Sequence, residues 1–438
     1  MGSETRDTIV RLGKLNIKIL LGIAALALVC KLVVFWMSVA SSMTFSIPNA
    51  ENWQDFYLAY VPAVNTLRAG LLPFRDFYYP YPAPFLYALT MFSFLPLPSW
   101  SSALPLVIAD ALTVVPVYLI ARELVGERYS TAISILFILA PTNLYYVDYL
   151  WLNPSLTTLF LMFSIYLLIK RRYGLSALAL ALSIGLKQTA LFALPVVLLI
   201  MRKEKSGRTE SLKYLLITAS LCLLFSVPYI IVSPGLYLGS IFRLPFGLWY
   251  AGQLQPSYFQ LAVGSGTRVS WDTSNWITSK LFFNLSAAGY PVTLALPLFI
   301  FLIPTTFAWV YTYFLHPYGL EIVLLGGYAF LLNRIRKKAV VDDRGSLNYV
   351  LYALLLLFTF YPLYKYYVVG IVPLLVLLVR SKKDAIGFAT FNFVLMFLPS
   401  YLGSWVLLVT LLWLLRRQLL GRFQIGPFRA LRPPAQTD

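Results

Sequence analysis

The sequence predicts an all-α polytopic membrane protein, and three observations carry that reading. Apolar residues make up 59% of the chain. They gather in repeated runs of membrane-spanning length, and in a bilayer a helix satisfies its own backbone within each run. The cations mostly fall in short clusters between the runs: Arg11/Lys14/Lys18, 170–172, 202–205, 334–338, 380–383 and Arg416-Arg417. No polar stretch is large enough for a soluble catalytic domain, so any chemistry must occur at the membrane.

The elements follow in order. An apolar stretch from about Leu15 to Val39 is longer than the core of a secretory signal and reads as an uncleaved anchor with a cytoplasmic N-terminus. An outer loop follows over about 40–82. From Trp53 onward, apolar residues recur at 53, 56, 57, 60, 61, 64, 67 and 71, the spacing of a helix with one oily face lying at the interface. Pro62 should kink or divide it, and Gly70 should stop it. Segment 83–121 breaks at Pro96-Leu-Pro-Ser99 and is either two helices or one bent path. Spans at 130–140 and 154–169 flank an aromatic turn, 143–151. That turn should face outside, because Lys170-Arg-Arg172 is cytoplasmic by the positive-inside rule.

Two later segments, 174–201 and 349–379, each lie between cation clusters and are too long for one helix. Lys187-Gln188 interrupts the first and Tyr364-Lys-Tyr-Tyr367 the second. Each then reads as an out-and-back hairpin with Lys187 or Lys365 at its outer end. Residues 233–286 form the longest polar stretch, a second outer loop that carries Arg243. In all, the sequence predicts one membrane domain over 1–415 with roughly 11–13 transmembrane helices, and a basic cytoplasmic tail over 416–438.

The net charge of +18 does not imply nucleic acid, because attraction of the cytoplasmic clusters to anionic lipid accounts for it. Cys30 and Cys222 both lie in apolar runs and indicate no disulfide framework. His316 is the single histidine, which excludes His-rich zinc sites and argues against a Ser-His-Asp hydrolase. No metal cofactor is expected. A bound cation would have to use carboxylate and carbonyl oxygens, as Mg²⁺ or Mn²⁺ can.

Several residues invite a functional reading beside a plain one. Asp55 starts the interfacial helix, where the positive helix end favours its ionised form; it either caps that helix or does chemistry. Lys187 and Lys365 are membrane-edge cations, costly and usually functional, with snorkelling toward headgroups as the alternative. Arg75-Asp76 is either a local ion pair or part of a pocket. Tyr79 and its aromatic neighbours either stack on a sugar or form an interfacial belt. Asp110 and Glu321 sit in or near apolar runs and read as bonds that fix helix packing.

The first outer loop resembles that of GT-C-fold glycosyltransferases. The resemblance rests on an Asp just past the first span, Tyr60, Leu67-Arg-Ala-Gly70, Pro73-Phe74 and Tyr79-Pro-Tyr-Pro-Ala-Pro84. Gly185-Leu-Lys-Gln188 followed by Leu194-Pro195 also resembles a recurring GT-C segment. Within the superfamily the likeness is to polyprenyl-phosphate-mannose-dependent mannosyltransferases that build phosphatidylinositol mannosides, and to their archaeal relatives. It is sharpest over 50–90. A paired Asp-x-Asp near Asp55, the Lys-Pro-Pro motif of aminoarabinose transferases and a large C-terminal soluble domain are all missing, which argues against those branches.

The resemblance implies a GT-C-like bundle in the cell membrane. It implies inverting transfer of a sugar, mannose by analogy, from a polyprenyl (dolichyl-type) phosphate to a hydroxyl of a lipid-linked or glycan acceptor on the outer face. By the same carry-over Asp55 is the base, Lys187 and Lys365 stabilise the departing phosphate with Arg75 and Arg243 behind them, and Gln188, Asp76 and Tyr79 line the site. Asp148 orients the acceptor, holds a cation or caps a helix. The competing class is a transporter or flippase that holds an anionic lipid-linked substrate with the same cations; the two interrupted hairpins fit it, but no duplicated sequence surrounds them.

Overall fold

The structure, a computed structural model, describes residues 16–43, 56–77, 79, 81–203, 207–242, 319–338, 341–360 and 365–397, with a few positions between 406 and 414. Every regular element among them is helical, and the one extended pairing is an isolated bridge between Pro73 and Phe77. Among the described residues, four stretches are long and apolar enough to cross a membrane: Ile17–Ser41, Ser99–Val125, Glu127–Tyr149 and Gly207–Val232. Shorter apolar helices pack among them. The chain is an integral, multi-pass membrane protein.

Helix α1 (Ile17–Ser41) starts where the Asn16 side chain accepts the Ile19 N–H at 3.4 Å. Ile23, Ala27, Lys31, Phe35 and Ser38 recur on its buried face, while Leu21, Val29, Val33, Trp36 and Met37 are exposed. An exposed apolar stripe of that kind suits contact with lipid tails. After the outer end of α1, the described chain resumes in a π-helical turn, Phe56–Tyr60, and runs into α2 (Val61–Arg68). Pro62 lies in the first turn of α2, where its missing N–H has no partner to lose. It therefore divides the interfacial element, as its place in the sequence suggests. Gly70, at φ +86°, ends the turn after α2.

The expected break near 96–99 is present. Helix α3 (Ala83–Ser93) stops short of it, and a 3-10 turn, Ser99–Ala103, opens into α4 (Leu104–Leu112) and α5 (Val114–Val125). With 11 residues, α3 is about 16 Å long and too short to span.

The aromatic segment 143–151 departs from expectation. Helix α6 (Glu127–Ile138) continues through α7 (Pro141–Asn143) into a second π-helical turn, Leu144–Tyr149, and Tyr145 through Tyr149 are all buried. The physical reason is that its two polar side chains, Asn143 and Asp148, find partners inside the bundle, so the segment has no need of solvent. The chain turns only after Tyr149, before α8 (Ser155–Ile169).

Helix α9 (Tyr173–Leu186) stops at Lys187, whose backbone is extended (φ −158°, ψ 124°). A 3-10 turn, Gln188–Ala193, leads into α10 (Leu194–Met201) and then α11 (Gly207–Val232). Helices α9 and α11 run parallel: the Ser176 hydroxyl meets the Tyr214 hydroxyl at 3.1 Å, and the Thr218 hydroxyl donates to the Ala177 carbonyl at 3.4 Å. The chain must therefore return between them, which is the expected hairpin with Lys187 at its tip. Beyond α12 (Pro234–Phe242) and α13 (Gly319–Lys337), α14 (Asp343–Phe360) gives way to a 3-10 turn, Lys365–Gly370, and then to α15 (Val372–Val376) and α16 (Lys382–Phe397). Both return limbs thus open with a 3-10 turn and then a helix with proline in its first turn, Pro195 or Pro373. The second outer loop past Phe242 and the tail 416–438 lie outside the described residues.

The cation clusters gather at one end. Lys170 pairs with Glu123 at 2.7 Å and Arg171 with Asp343 at 3.4 Å. Lys203 donates to the Arg336 carbonyl, and Arg344 to the Leu124 carbonyl. By the positive-inside rule this end is cytoplasmic, which puts the far ends of α1 and α9 outside.

Candidate functional site

At the outer end, three separate stretches of sequence converge on Lys187. Its side chain is 3% exposed. The ammonium sits 3.5 Å from the centroid of the Tyr367 ring, 5.7 Å from Tyr81 and 6.0 Å from Tyr366. Tyr81 belongs to the first outer loop, Lys187 to the first hairpin tip, and Tyr366 and Tyr367 to the second. The three rings enclose the ammonium where these stretches meet.

Gln188, beside it, donates its amide to the Ile241 carbonyl on α12 at 2.8 Å, while its own side-chain oxygen has no hydrogen-bond partner among the described residues. The backbone of Lys365 opens the turn that presents Tyr366 and Tyr367; its side chain lies outside the described atoms. The sequence singled out Lys365 as the second cation, whereas the described contacts at this tip are made by the two tyrosines that follow it.

Tyr79 is 1% exposed and its hydroxyl has no partner among the described residues. Its ring continues an aromatic layer: Tyr81 at 5.7 Å, then Phe85 and Tyr60. Burial pushes its phenol well above the ordinary value, so it stays neutral. Arg75 and Asp76 instead form an exposed local pair at 2.6 Å, and the Asp76 carboxylate also accepts the Leu72 N–H. The Arg75 hydrogen bond, with help from Leu72, holds the Asp76 carboxyl below the usual carboxylate range. A depressed carboxyl stabilises the fold above its unfolded value and loses that contribution as pH falls through the lower folded one. The 71–77 turn should therefore hold at neutral pH and loosen only below about pH 4, which limited proteolysis across a pH series would reveal as new cleavage there. Cleavage already present at pH 7 would contradict this.

Asp148, placed by the sequence in a short outer turn, lies in the buried 144–149 helical turn. It is fully buried, with Oδ2 3.0 Å from the Lys31 ammonium. Asp110 pairs with the same ammonium and accepts the Asn143 amide at 2.7 Å. This cluster ties α1, α4 and the 144–149 turn together, the packing role expected of Asp110. Sequence reasoning missed Lys31. The signal was present, since a lysine inside the first apolar run demands a carboxylate from another run. Glu321 lies in the first turn of α13, and its side chain lies outside the described atoms.

The 144–149 turn also fixes where the first outer loop starts. Ser38 donates to the Tyr149 carbonyl at 2.5 Å, and the Ser41 and Tyr149 hydroxyls meet at 2.7 Å. Just beyond, Trp151 packs against Phe35, Phe56 and Tyr57 at ring separations of 5.3, 5.0 and 5.9 Å. Asp55 and Arg243 lie outside the described residues, although Phe56 directly follows Asp55 in the chain. Among the described residues no three His, Cys, Asp or Glu side chains gather in a way that could hold a metal ion.

Comparison with known proteins finds a match to the family model described as ALG3 protein over residues 79–250, under half of the chain. No curated protein matches. Among solved structures, the chain is similar to the archaeal oligosaccharyltransferase AglB from Archaeoglobus fulgidus, determined in complex with an inhibitory peptide and a dolichol-phosphate. The identity is 14% and the TM-score 0.42, over 88% of this chain and 55% of that one. This chain thus spans about half the length of AglB.

Proposed function

We propose that the chain is a membrane glycosyltransferase that moves a sugar, mannose by family likeness, from a polyprenyl phosphate to an acceptor hydroxyl with inversion. The observation that carries this reading is the convergence on Lys187. A buried cation, ringed by tyrosines from the first outer loop and the second hairpin, lies at the end opposite the cationic face. The match to the ALG3 family, a group of dolichyl-phosphate-mannose-dependent mannosyltransferases, supports it; its residues 79–250 include Tyr79, Tyr81, Lys187 and Gln188.

In this mechanism the acceptor oxygen gives its proton to Asp55 and bonds to the anomeric carbon. The bond from that carbon to the phosphate oxygen breaks, and the electron pair leaves with the phosphate. Positioned charge acts most strongly on such a leaving group where water is excluded. Lys187 supplies that charge, with Lys365 and Arg243 as further cations of the site. The mechanism needs no metal, and Mg²⁺ or Mn²⁺ remains compatible with it; a chelator arm in the assay separates the two.

The test is transfer of labelled sugar from polyprenyl phosphate in membranes containing the protein. Lys187→Ala should lower turnover on the order of 10²–10³-fold, the range for losing one preorganised charge-stabilising group. Unchanged kinetics would remove Lys187 from the site. Two interrupted hairpins also occur in transporters, so the same membranes should be assayed for substrate crossing; movement with no new glycosidic bond would favour that second reading.

A further inference from the structure

Just past the 144–149 turn runs a strip of chain in which several polar side chains are buried without a hydrogen-bond partner among the described residues. Asn153 is 0% exposed, and neither its amide nitrogen nor its carbonyl oxygen has a hydrogen-bond partner among the described residues. The Trp151 indole N–H, the Ser155 hydroxyl and the Thr157 hydroxyl share that condition. Buried carboxamides are otherwise almost always satisfied, and an orphaned one is costly to the fold. Thr158, by contrast, donates normally to the Pro154 carbonyl at 3.0 Å. Failure to bond locally is therefore confined to particular residues of the strip.

A second observation is independent of the first. Trp151 has φ +56°, a left-handed conformation that is a genuine outlier for so bulky a residue and tends to mark ligand sites. Three aromatic rings hold it there, two of them the first described residues after Asp55.

The strip also lies level with Lys187. The Ser183 hydroxyl donates to the Thr157 carbonyl at 2.8 Å. Helix α9 runs outward from Ser183, and Lys187 stands one turn beyond it. Helix α8 runs inward, so Asn153 stands about one turn outward of Thr157. The start of α8 touches the 365–370 turn as well, where a Cβ on Gly370 would lie 3.5 Å from the Thr158 hydroxyl. Cage and strip thus share one depth and border the same hairpin tip.

We propose that the 151–155 strip is a sugar-binding subsite, in which the Asn153 carboxamide and the Trp151 indole N–H hydrogen-bond the ring hydroxyls of a hexose. This rests on the glycosyltransferase reading for its substrate, and it places the sugar beside the phosphate that Lys187 holds. A hexose offers both donors and acceptors, which is what an Asn side chain with both ends unused demands. The same hydroxyl chemistry comes from the transferred sugar or from a glycan acceptor, and kinetics tell them apart.

The experiment uses Asn153→Leu, close in size and without polar atoms, in the full-length protein. Removing an amide that the ligand-free fold leaves unpaired should keep Tm in detergent at or above the wild-type value. The KM for one sugar substrate should rise roughly tenfold, the loss of one to two neutral hydrogen bonds. A rise for the polyprenyl-phosphate sugar assigns the strip to the donor, and a rise for the acceptor assigns it there. The wild-type preference for a mannosyl over a deoxymannosyl substrate should collapse in the variant. A lower Tm with unchanged KM would overturn the proposal, because the amide would then serve the fold. If the wild type transfers no sugar, saturable quenching of tryptophan fluorescence by octyl mannoside, lost in both Asn153→Leu and Trp151→Phe, would still sustain the subsite while the transferase reading failed. Absence of saturable quenching in that case would sink both.

Discussion

Asp55→Asn should fold, bind the polyprenyl-phosphate donor with near wild-type affinity, and lose about 10²–10⁴-fold in transfer, the contribution of a positioned general base. The variant keeps the size of the side chain and an acceptor oxygen, so any capping hydrogen bond at the start of the interfacial element survives; Asn and Asp are comparable N-caps. What disappears is the capacity to take a proton from the acceptor. A capping role alone predicts normal transfer, and a charge-only role predicts that KM rises while kcat holds. The informative measurement is therefore the split between kcat and KM, with donor binding measured separately. Normal transfer by Asp55→Asn would eliminate the base and, with it, the mechanism proposed above.

Much of the architecture was legible because the membrane makes patterning simple. Apolar runs and interposed cations give spans and orientation, and Lys187 and Lys365 were marked as hairpin tips by polar residues that interrupt runs too long for one helix. Gly70 and Pro62 were legible for stereochemical reasons. Less legible was anything that depends on which helices meet. The 143–151 segment read as an outward-facing aromatic turn because Lys170-Arg-Arg172 is cytoplasmic, which does not reveal that Asn143 and Asp148 turn into the bundle. Their partners, Asp110 and Lys31, lie 33 and 117 residues away in sequence, beyond any local pattern. Asn153 and Trp151 were invisible for the opposite reason: a buried amide that lacks a partner differs from a satisfied one only in three dimensions. The cage around Lys187 lay between these cases, since the sequence supplied the cation and the aromatics but not the pairing of Tyr81 with Tyr367.

The Lys31 cluster yields the largest expected effect on stability. Lys31→Met keeps most of the side-chain length and leaves Asp110 and Asp148 facing each other in the interior with no cation, a loss that for buried pairs runs about 3–5 kcal/mol. Tm of the detergent-solubilised protein should fall by several degrees. Ser38 and Ser41 hold Tyr149 about two to three turns further out on α1, so the loosened α1 should also expose the 149–151 region to proteolysis. Neutralising the carboxylates as well, in Lys31→Met/Asp110→Asn/Asp148→Asn, should recover most of the lost stability, because the cost lies in the uncompensated charge and not in the pair itself. Residues in direct contact are not additive, and the triple variant separates the two explanations. If Lys31→Met melts with the wild type, the cluster does not tie α1 to the bundle. If the triple variant melts as low as the single one, the ion pairs themselves, rather than charge compensation, hold these helices together.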